Sequence, residues 1–445
     1  MRARAVDGAS LGLFRCLFGV LVAVAALRYL VLGWIGPQYL EPRFVFSYPG
    51  LDWLGSGPPF VTYGRFAALV VLGGLLAAGW RVRLSAFAIF LLFTWNHLID
   101  KALYLNHYHL VSLLAGWLVL APSDRAFAPL ARDRRDETVD AAWLWLLRGQ
   151  VGLVYVAAGL AKLHPDWLLR AEPLRLWLGT HDHWPVLGAV FRWEPTPFAF
   201  AWAGLVFDLS VPFLLLARRT RRVAFAALCV FHLATAALFP IGVFPWVMTL
   251  AATLFLAPDW PRRLRGVGVR GSLGESVAPA GVRLRPAARL AGLAFLAAQA
   301  LWSQRGLLPE GDLLWHERGF RFSWRVMVME KQGDVRFLVA EDRPGGRAAA
   351  IDPAEELTPI QCRMMAAQPD MILDYARHLR RRHEAAGWRD VTVRAESWAS
   401  LNGDPAAPLV DPDVDLGRLR PGLLDRSWIR PRPPVRIERE EGRGE

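Results

Sequence analysis

Arg148, Gly152, Tyr155, Gly159 and Lys162 follow one another at spacings of four, three, four and three residues within an otherwise apolar stretch. On a helix this spacing keeps all five on one stripe. An ionisable group placed in hydrocarbon costs about 2.5–3.5 kcal/mol on insertion scales, so such a stripe faces protein or a cavity and not lipid. Its glycines let a neighbouring helix or a flat ligand come close to the backbone. Lys162 and Arg148 lie at opposite ends, about 21 Å apart at 1.5 Å per residue.

Of 52 basic residues only three are lysine: Lys101, Lys162 and Lys331. Where a positive charge alone is wanted, this sequence uses arginine, so a retained lysine marks a place that a guanidinium does not serve. Burial favours a neutral amine, which is a general base, whereas arginine keeps its proton. The alternative for Lys162 is an interfacial anchor whose ammonium reaches water. Arginine would anchor equally well, which favours the base.

A second polar cluster comprises Asn96, His97, Asp100, Lys101, Asn106, His107 and His109. A polar loop with an Asp100–Lys101 pair is its plain reading. His107 with His109, and His181 with His183, have ligand types but no nearby third ligand, and no metal is assigned. Asp208 and His232 fall inside apolar runs and are expected to face the bundle interior, with Asp208 a partner for Arg148. Cys16, Cys229 and Cys362 form no CxxC and imply neither a disulfide framework nor a zinc site.

The elements that must position these residues are membrane helices. The 445 residues are 54% apolar, and the apolar ones gather into runs such as 66–80, 141–161, 198–217 and 223–239. Mean hydropathy is +0.24. Runs of this length suit a helix crossing about 30 Å of hydrocarbon. Candidate spans lie near 11–34, 66–80, 84–99, 109–121, 141–162, 198–217, 223–239, 241–257 and 288–302. The pair flanking Pro240 also reads as one broken helix, giving eight to nine spans. The connections 81–84, 122–140, 218–222 and 259–287 hold two, four, four and six basic residues, and the intervening ones, 35–65, 100–108, 163–197 and 240, hold two, one, three and none. Basic loops stay in the cytoplasm, which places the N-terminus inside and residue 303 onward outside. The net charge of +12 is mostly this topology signal and needs no nucleic acid to explain it. The abundance of Arg, Ala, Gly and Pro is the signature of a GC-rich bacterial genome, so the expected site is the bacterial cytoplasmic membrane.

Beyond Trp302 the pattern changes to that of an extracytoplasmic α+β domain. Phe320, Phe322, Trp324, Val326 and Val328 alternate with Arg321, Ser323, Arg325 and Met327, the period of a half-buried strand. Residues 333–340 read as its hairpin partner, 370–386 as a helix and 391–399 as another strand. The expected divisions are 1–302, 303–430 and a disordered tail at 431–445.

Several stretches resemble the vitamin K-dependent γ-glutamyl carboxylase family, whose membrane part is the HTTM domain. They are LIDK at 98–101 with Asn106-His107, LRGQVGLVYVAAGLAKL at 147–163 with Asp166-Trp167, FDLS at 207–210 and FHLATAALFPIGVFPWVM at 231–248. FSW at 322–324, SWASLNG at 397–403, DPDVD at 411–415 and RSWIRP at 426–431 continue the match. The resemblance implies an enzyme that binds reduced vitamin K or a menaquinol-type naphthoquinol. The lysine of the AGxxKL stretch, Lys162, would deprotonate it. Reaction with O2 then arms the cofactor to take a glutamate γ-proton, the carbanion captures CO2, and the quinol leaves as an epoxide. No side-chain base removes so weakly acidic a proton unaided, so a cofactor must carry that chemistry. The resemblance assigns His107 to orienting or stabilising the oxygenated species. Arg148, Tyr155, Gly159, His232 and Asn106 are expected around the cofactor.

The sequence also departs from the animal carboxylase. Arg325–Glu330 lacks the histidine expected after FSW, the cysteine pairing has no counterpart, and the chain ends soon after RSWIRP. The expected partners are the bilayer and a glutamate-containing protein or peptide. Two rival functions are a quinol-dependent redox enzyme that fixes no CO2, and a non-enzymatic membrane adaptor.

Overall fold

The computed structural model describes residues 4–131, 137–264, 283–308, 310–420 and 425–434. Of the expected disordered tail at 431–445, residues 431–434 are described, with Arg432 paired to Asp312 and Asp404, and 435–445 lie outside the described residues. The described chain divides into two units, the first comprising Met1–Gln304 with Arg321–Val326, the second Arg305–Phe320 with Met327–Glu445.

The first unit is helical. α1 (Ala9–Val31), α2 (Pro59–Ala78), α3 (Val82–Leu98), α4 (Asn106–Leu120) and α5 (Ala141–Ala161) lead into three short helices, α6 (Pro165–Leu169), α7 (Leu174–Gly179) and α8 (Leu187–Arg192). α9 (Pro195–Leu216), α10 (Arg221–Leu238), α11 (Phe244–Ala252), α12 (Trp260–Leu264) and α13 (Pro286–Ser303) complete it. Five of these, α1, α2, α5, α9 and α10, are long and apolar enough to cross a membrane. α3 and the run Phe244–Phe255 are apolar but shorter. The chain breaks at Pro240 between α10 and α11, so the pair flanking it is two helices.

Small residues set the closest helix contact. A Cβ on Gly19 would lie 2.5 Å from Gly73 O, and one on Gly73 would lie 2.6 Å from Gly19 O, so α1 and α2 touch backbone to backbone. Ala23 and Ala77, each four residues on, extend the small-residue seam. The fully buried Arg15 donates to Leu76 O and Phe127 O at 2.6 Å each, adding a second donor to a carbonyl at the end of α2 that Gly79 N also bonds. A short antiparallel pair, β1 (Ala5–Asp7) with β2 (Thr138–Asp140), leads into α5, and Asp140 caps it by accepting from Ala142 N.

The second unit is α+β. β3 (Lys331–Glu341) pairs along its full length with β5 (Val391–Leu401), with β4 (Ala348–Ile351) and β6 (Ala407–Pro408) on the outer sides. One face alternates inward through Val335, Phe337, Val339, Val391, Val393 and Ala395. α15 (Pro359–Ala367) and α16 (Pro369–Ala385) supply Met365, Met371, Tyr375 and Leu379 to the same core, with α14 (Leu313–His316) preceding the sheet. Gly333 lets α15 approach, because a Cβ there would lie 2.3 Å from Ala366 O.

The expected strand over 320–328 is not one. Residues 320–330 are turns and irregular backbone, and Phe322, Trp324 and Met327 have φ of 60°, 58° and 50°. The alternation is real but serves a different contact: residues 321–326 belong with the membrane unit. Their rings and backbone carbonyls are taken up there by aromatic and amide side chains. Left-handed φ at residues with a bulky Cβ costs about 1–3 kcal/mol each and persists only where the surroundings enforce it.

Candidate active site

Lys162 is the residue that closes α5, its backbone N–H bonding Gly159 O at 3.0 Å. Its side chain turns inward. Nζ donates to Asp208 Oδ2 at 2.6 Å, reaches toward Ala158 O at 3.4 Å and lies 5.2 Å from the ring centre of Trp167. Both Lys162 and Asp208 are buried, at 6% and 5% exposure, which sets this pair apart from a snorkelling anchor.

The glycines of the α5 stripe explain how Asp208 arrives. A Cβ on Gly159 would lie 2.7 Å from Leu209 Cδ2 and 3.2 Å from Leu209 N. One on Gly152 would meet Pro212 at 3.5 Å. The stripe therefore receives α9, which carries Asp208 beside Leu209. Of the helix and the flat ligand that the glycines could admit, a helix lies against Gly159.

Tyr155 lies one turn along the same stripe. Its hydroxyl and His232 Nε2 are 2.7 Å apart, both side chains buried, and its ring is 6.2 Å from Phe207, the neighbour of Asp208. Phe207 stacks on Phe231 at 4.2 Å. The rings of His232 and His107 both approach Phe244, at 5.9 and 6.1 Å. A Cβ on Gly242 would come 3.9 Å from His107 Nε2. The chain of contacts from α5 through α9 and α10 thus reaches α4, where His107 sits. Among the described residues His232 Nδ1 has no partner.

Two expected site residues have other work. Arg148 bonds Leu254 O at 2.7 Å and Leu256 O at 3.3 Å and covers Trp145, closing the run that ends at Phe255. Asp208 pairs with Lys162 instead, which corrects the expected Arg148–Asp208 pairing. Asn106 accepts from Tyr104 Oη at 3.0 Å and donates to Arg325 O at 2.9 Å, so it ties down residues 321–326. Phe322 N donates to Tyr104 Oη at 2.7 Å. Phe322 also packs against His97 and His109, and Trp324 stacks on His109 at 5.0 Å. Behind this segment is a cavity of about 30 Å³ walled by Tyr29, Tyr39, Asn96, His97 and Tyr108. Neither ring nitrogen of His97 has a partner among the described residues.

The residues present fit a flat, hydroxyl-bearing aromatic. The Lys162–Asp208 pair can exchange a proton with a hydroxyl. Phe244, Phe207 and Trp167 supply ring faces, and His232 keeps a spare nitrogen. Lys162, His107, Tyr155 and His232 are the residues expected from the sequence; Asp208 pairs with Lys162 and not with the expected Arg148, while Phe244 lies against His232 and His107 and Trp167 against Lys162. The signal for Asp208 was present: it is the lone carboxylate of a long apolar helix, and such a charge needs a buried partner.

Residues 3–260 match the HTTM domain, and residues 285–434 match the vitamin K-dependent gamma-carboxylase lumenal domain. No solved structure matches the chain.

Proposed function

This chain belongs to the vitamin K-dependent γ-carboxylase family, and from that premise we propose that it is a membrane carboxylase that modifies protein glutamate at the expense of a reduced naphthoquinol. The observation that carries this reading is the buried Lys162–Asp208 pair at 2.6 Å, held beside aromatic side chains. When bound, the quinol supplies, with O2, the strong base that glutamate γ-proton abstraction needs.

The residues of the chain have definable tasks. An ammonium is not a base, so Lys162 and Asp208 act as a unit. The carboxylate accepts the lysine proton in the dry interior, leaving an amine free to take a proton from a hydroxyl placed against it. Arginine at 162 would hold its proton and block that transfer. The Tyr155–His232 pair would bound one side of a quinol site, and its hydrogen bond leaves His232 Nδ1 for a ligand oxygen. His107, 6.1 Å from Phe244, is placed to orient an oxygen at the other edge. The α-helical seam at Gly159 keeps water out by closing α5 on α9. The eight to nine spans, the outward second unit and the CO2 step belong to the same proposal.

Purified protein given reduced vitamin K, labelled bicarbonate and a glutamate-rich peptide should incorporate label into the peptide and consume quinol. Quinol consumption without label assigns a redox enzyme instead. Absence of both binding and consumption leaves an adaptor.

A further inference from the structure

The second unit carries a cavity of its own. It measures about 430 Å³, and its walls include Asp312, Trp315, His316, Arg426, Arg430 and Arg432. Three guanidinium groups thus face one carboxylate. Arg432 is spent, its terminal nitrogens held by Asp312 Oδ2 at 2.6 Å and Asp404 Oδ2 at 2.5 Å. Arg430 reaches Asp411 at 3.1 Å. Arg426 has no carboxylate partner among the described residues, and its Nε is buried without an acceptor. The backbone makes room for it: Gly311 has φ +94°, and a Cβ there would lie 2.7 Å from Arg426 Nη1.

His316 is the second, independent sign. It is 4% exposed, and its Nδ1 accepts from Arg318 N at 3.1 Å, which puts the ring proton on Nε2. That N–H has no acceptor among the described residues. A buried donor left open beside an uncompensated guanidinium is costly unless something accepts from it. The wall therefore lacks an acceptor and a negative charge together.

We propose that this cavity is a docking site for a carboxylate side chain of an acidic peptide segment, gripped by Arg426 with His316 Nε2–H in support. Guanidinium pairs with carboxylate through two parallel hydrogen bonds, and the volume is that of a small-ligand site, larger than a lone anion needs. The inference rests on the glutamate-peptide reading above and adds to it a second carboxylate, held apart from the one that reacts.

The test is direct binding, which needs no turnover. Full-length protein in nanodiscs is titrated with a labelled glutamate-rich peptide, its glutamine counterpart, and inorganic phosphate as competitor. The glutamate peptide should bind at least about tenfold more tightly than the glutamine one, and Arg426→Gln should remove about that factor for the glutamate peptide alone. Equal binding of the two peptides, unchanged affinity in Arg426→Gln, or binding of phosphate in place of the peptide overturns the proposal. If Arg426→Gln does not fold, salt titration of the unmodified protein decides, since affinity unmoved by salt also overturns it. Quinol consumption measured on the unmodified protein without peptide reports separately on the functional reading. Loss of that activity with glutamate-selective binding intact refutes the function and spares this site.

Discussion

Two lysines, one in each unit, have nearly the same surroundings. Lys162 bonds a carboxylate at 2.6 Å, approaches a backbone carbonyl and lies 5.2 Å from a tryptophan ring centre. Lys331 bonds Glu317 at 2.9 Å and Trp315 O at 2.5 Å and lies 5.5 Å from the Trp315 ring. The difference is in the carbonyl. Trp315 O holds Lys331 tightly, whereas Ala158 O stands 3.4 Å from Lys162, beyond a strong bond. Lys331 is a strut that fastens β3 to the segment before it. Lys162 keeps a weakly used donor position, in a helical bundle lined by rings, where a ligand hydroxyl can replace it. The same three groups make a fastening in one place and a candidate base in the other, so coordination alone does not identify chemistry.

Exchanging each lysine for arginine breaks the comparison most sharply. Lys162→Arg should lower quinol consumption by about 10²–10⁴, the usual worth of a general base, while the protein still inserts and melts normally. Lys331→Arg should retain turnover. Activity of Lys162→Arg within twofold of the parent would return Lys162 to an anchor. Removing the carboxylates is the next contrast. Asp208→Asn should cost about a hundredfold in quinol consumption, because the lysine loses the group that takes its proton. Glu317→Gln should cost about 3 kcal/mol of stability, from an uncompensated buried ammonium, with turnover retained wherever the protein is folded. Thermal melts run beside the activity assay separate the two, and the reverse pattern would exchange the roles.

A pH effect is expected in the second unit. Burial, helped by the nearby Arg426 charge, lowers the His316 pKa to about 4 from the usual 6.5. The folded ring stays neutral while the unfolded chain takes up a proton, so stability is whole above about pH 6.5 and declines as pH falls toward 4. The loss is about 3 kcal/mol at most. Melting of the second unit followed from pH 7 to 4 should show this slope, and His316→Gln should flatten it. The smallest expected effect is at the helix seam. Gly159→Ala places a methyl against Leu209 and should cost about 1–3 kcal/mol, with a drop in turnover as α9 withdraws Asp208 from Lys162. A wild-type rate in a well-folded Gly159→Ala would show that the seam does not position the pair.

Much of this was legible in the residues. Long apolar runs specify membrane helices because hydrocarbon leaves the backbone no other partner than itself. The alternating runs at 333–340 and 391–399 specify strands because one face must be buried, but they pair with each other, over 331–341 and 391–401, and not 333–340 with 320–328 as its pattern suggested. The scarcity of lysine singled out three positions, and all three lysine side chains are buried or nearly so. Alternation misled at 320–328, because a period states which residues are hidden and not what hides them. There the hiding is done by Tyr104, His109 and Asn106, more than two hundred residues earlier in the chain.

What the sequence determined by itself was the set of elements and the identity of the polar residues that hydrocarbon forces into company. Which of them keep company was decided by tertiary structure. Arg148 and Lys162 share one stripe, and Asp208 could have been read as the partner of either. Close packing at Gly159 sets α9 at a height where its carboxylate meets the lysine, leaving the arginine to the carbonyls of Leu254 and Leu256. Spacing along a helix fixes direction around its axis, but the offset between two helices follows from how their side chains interlock.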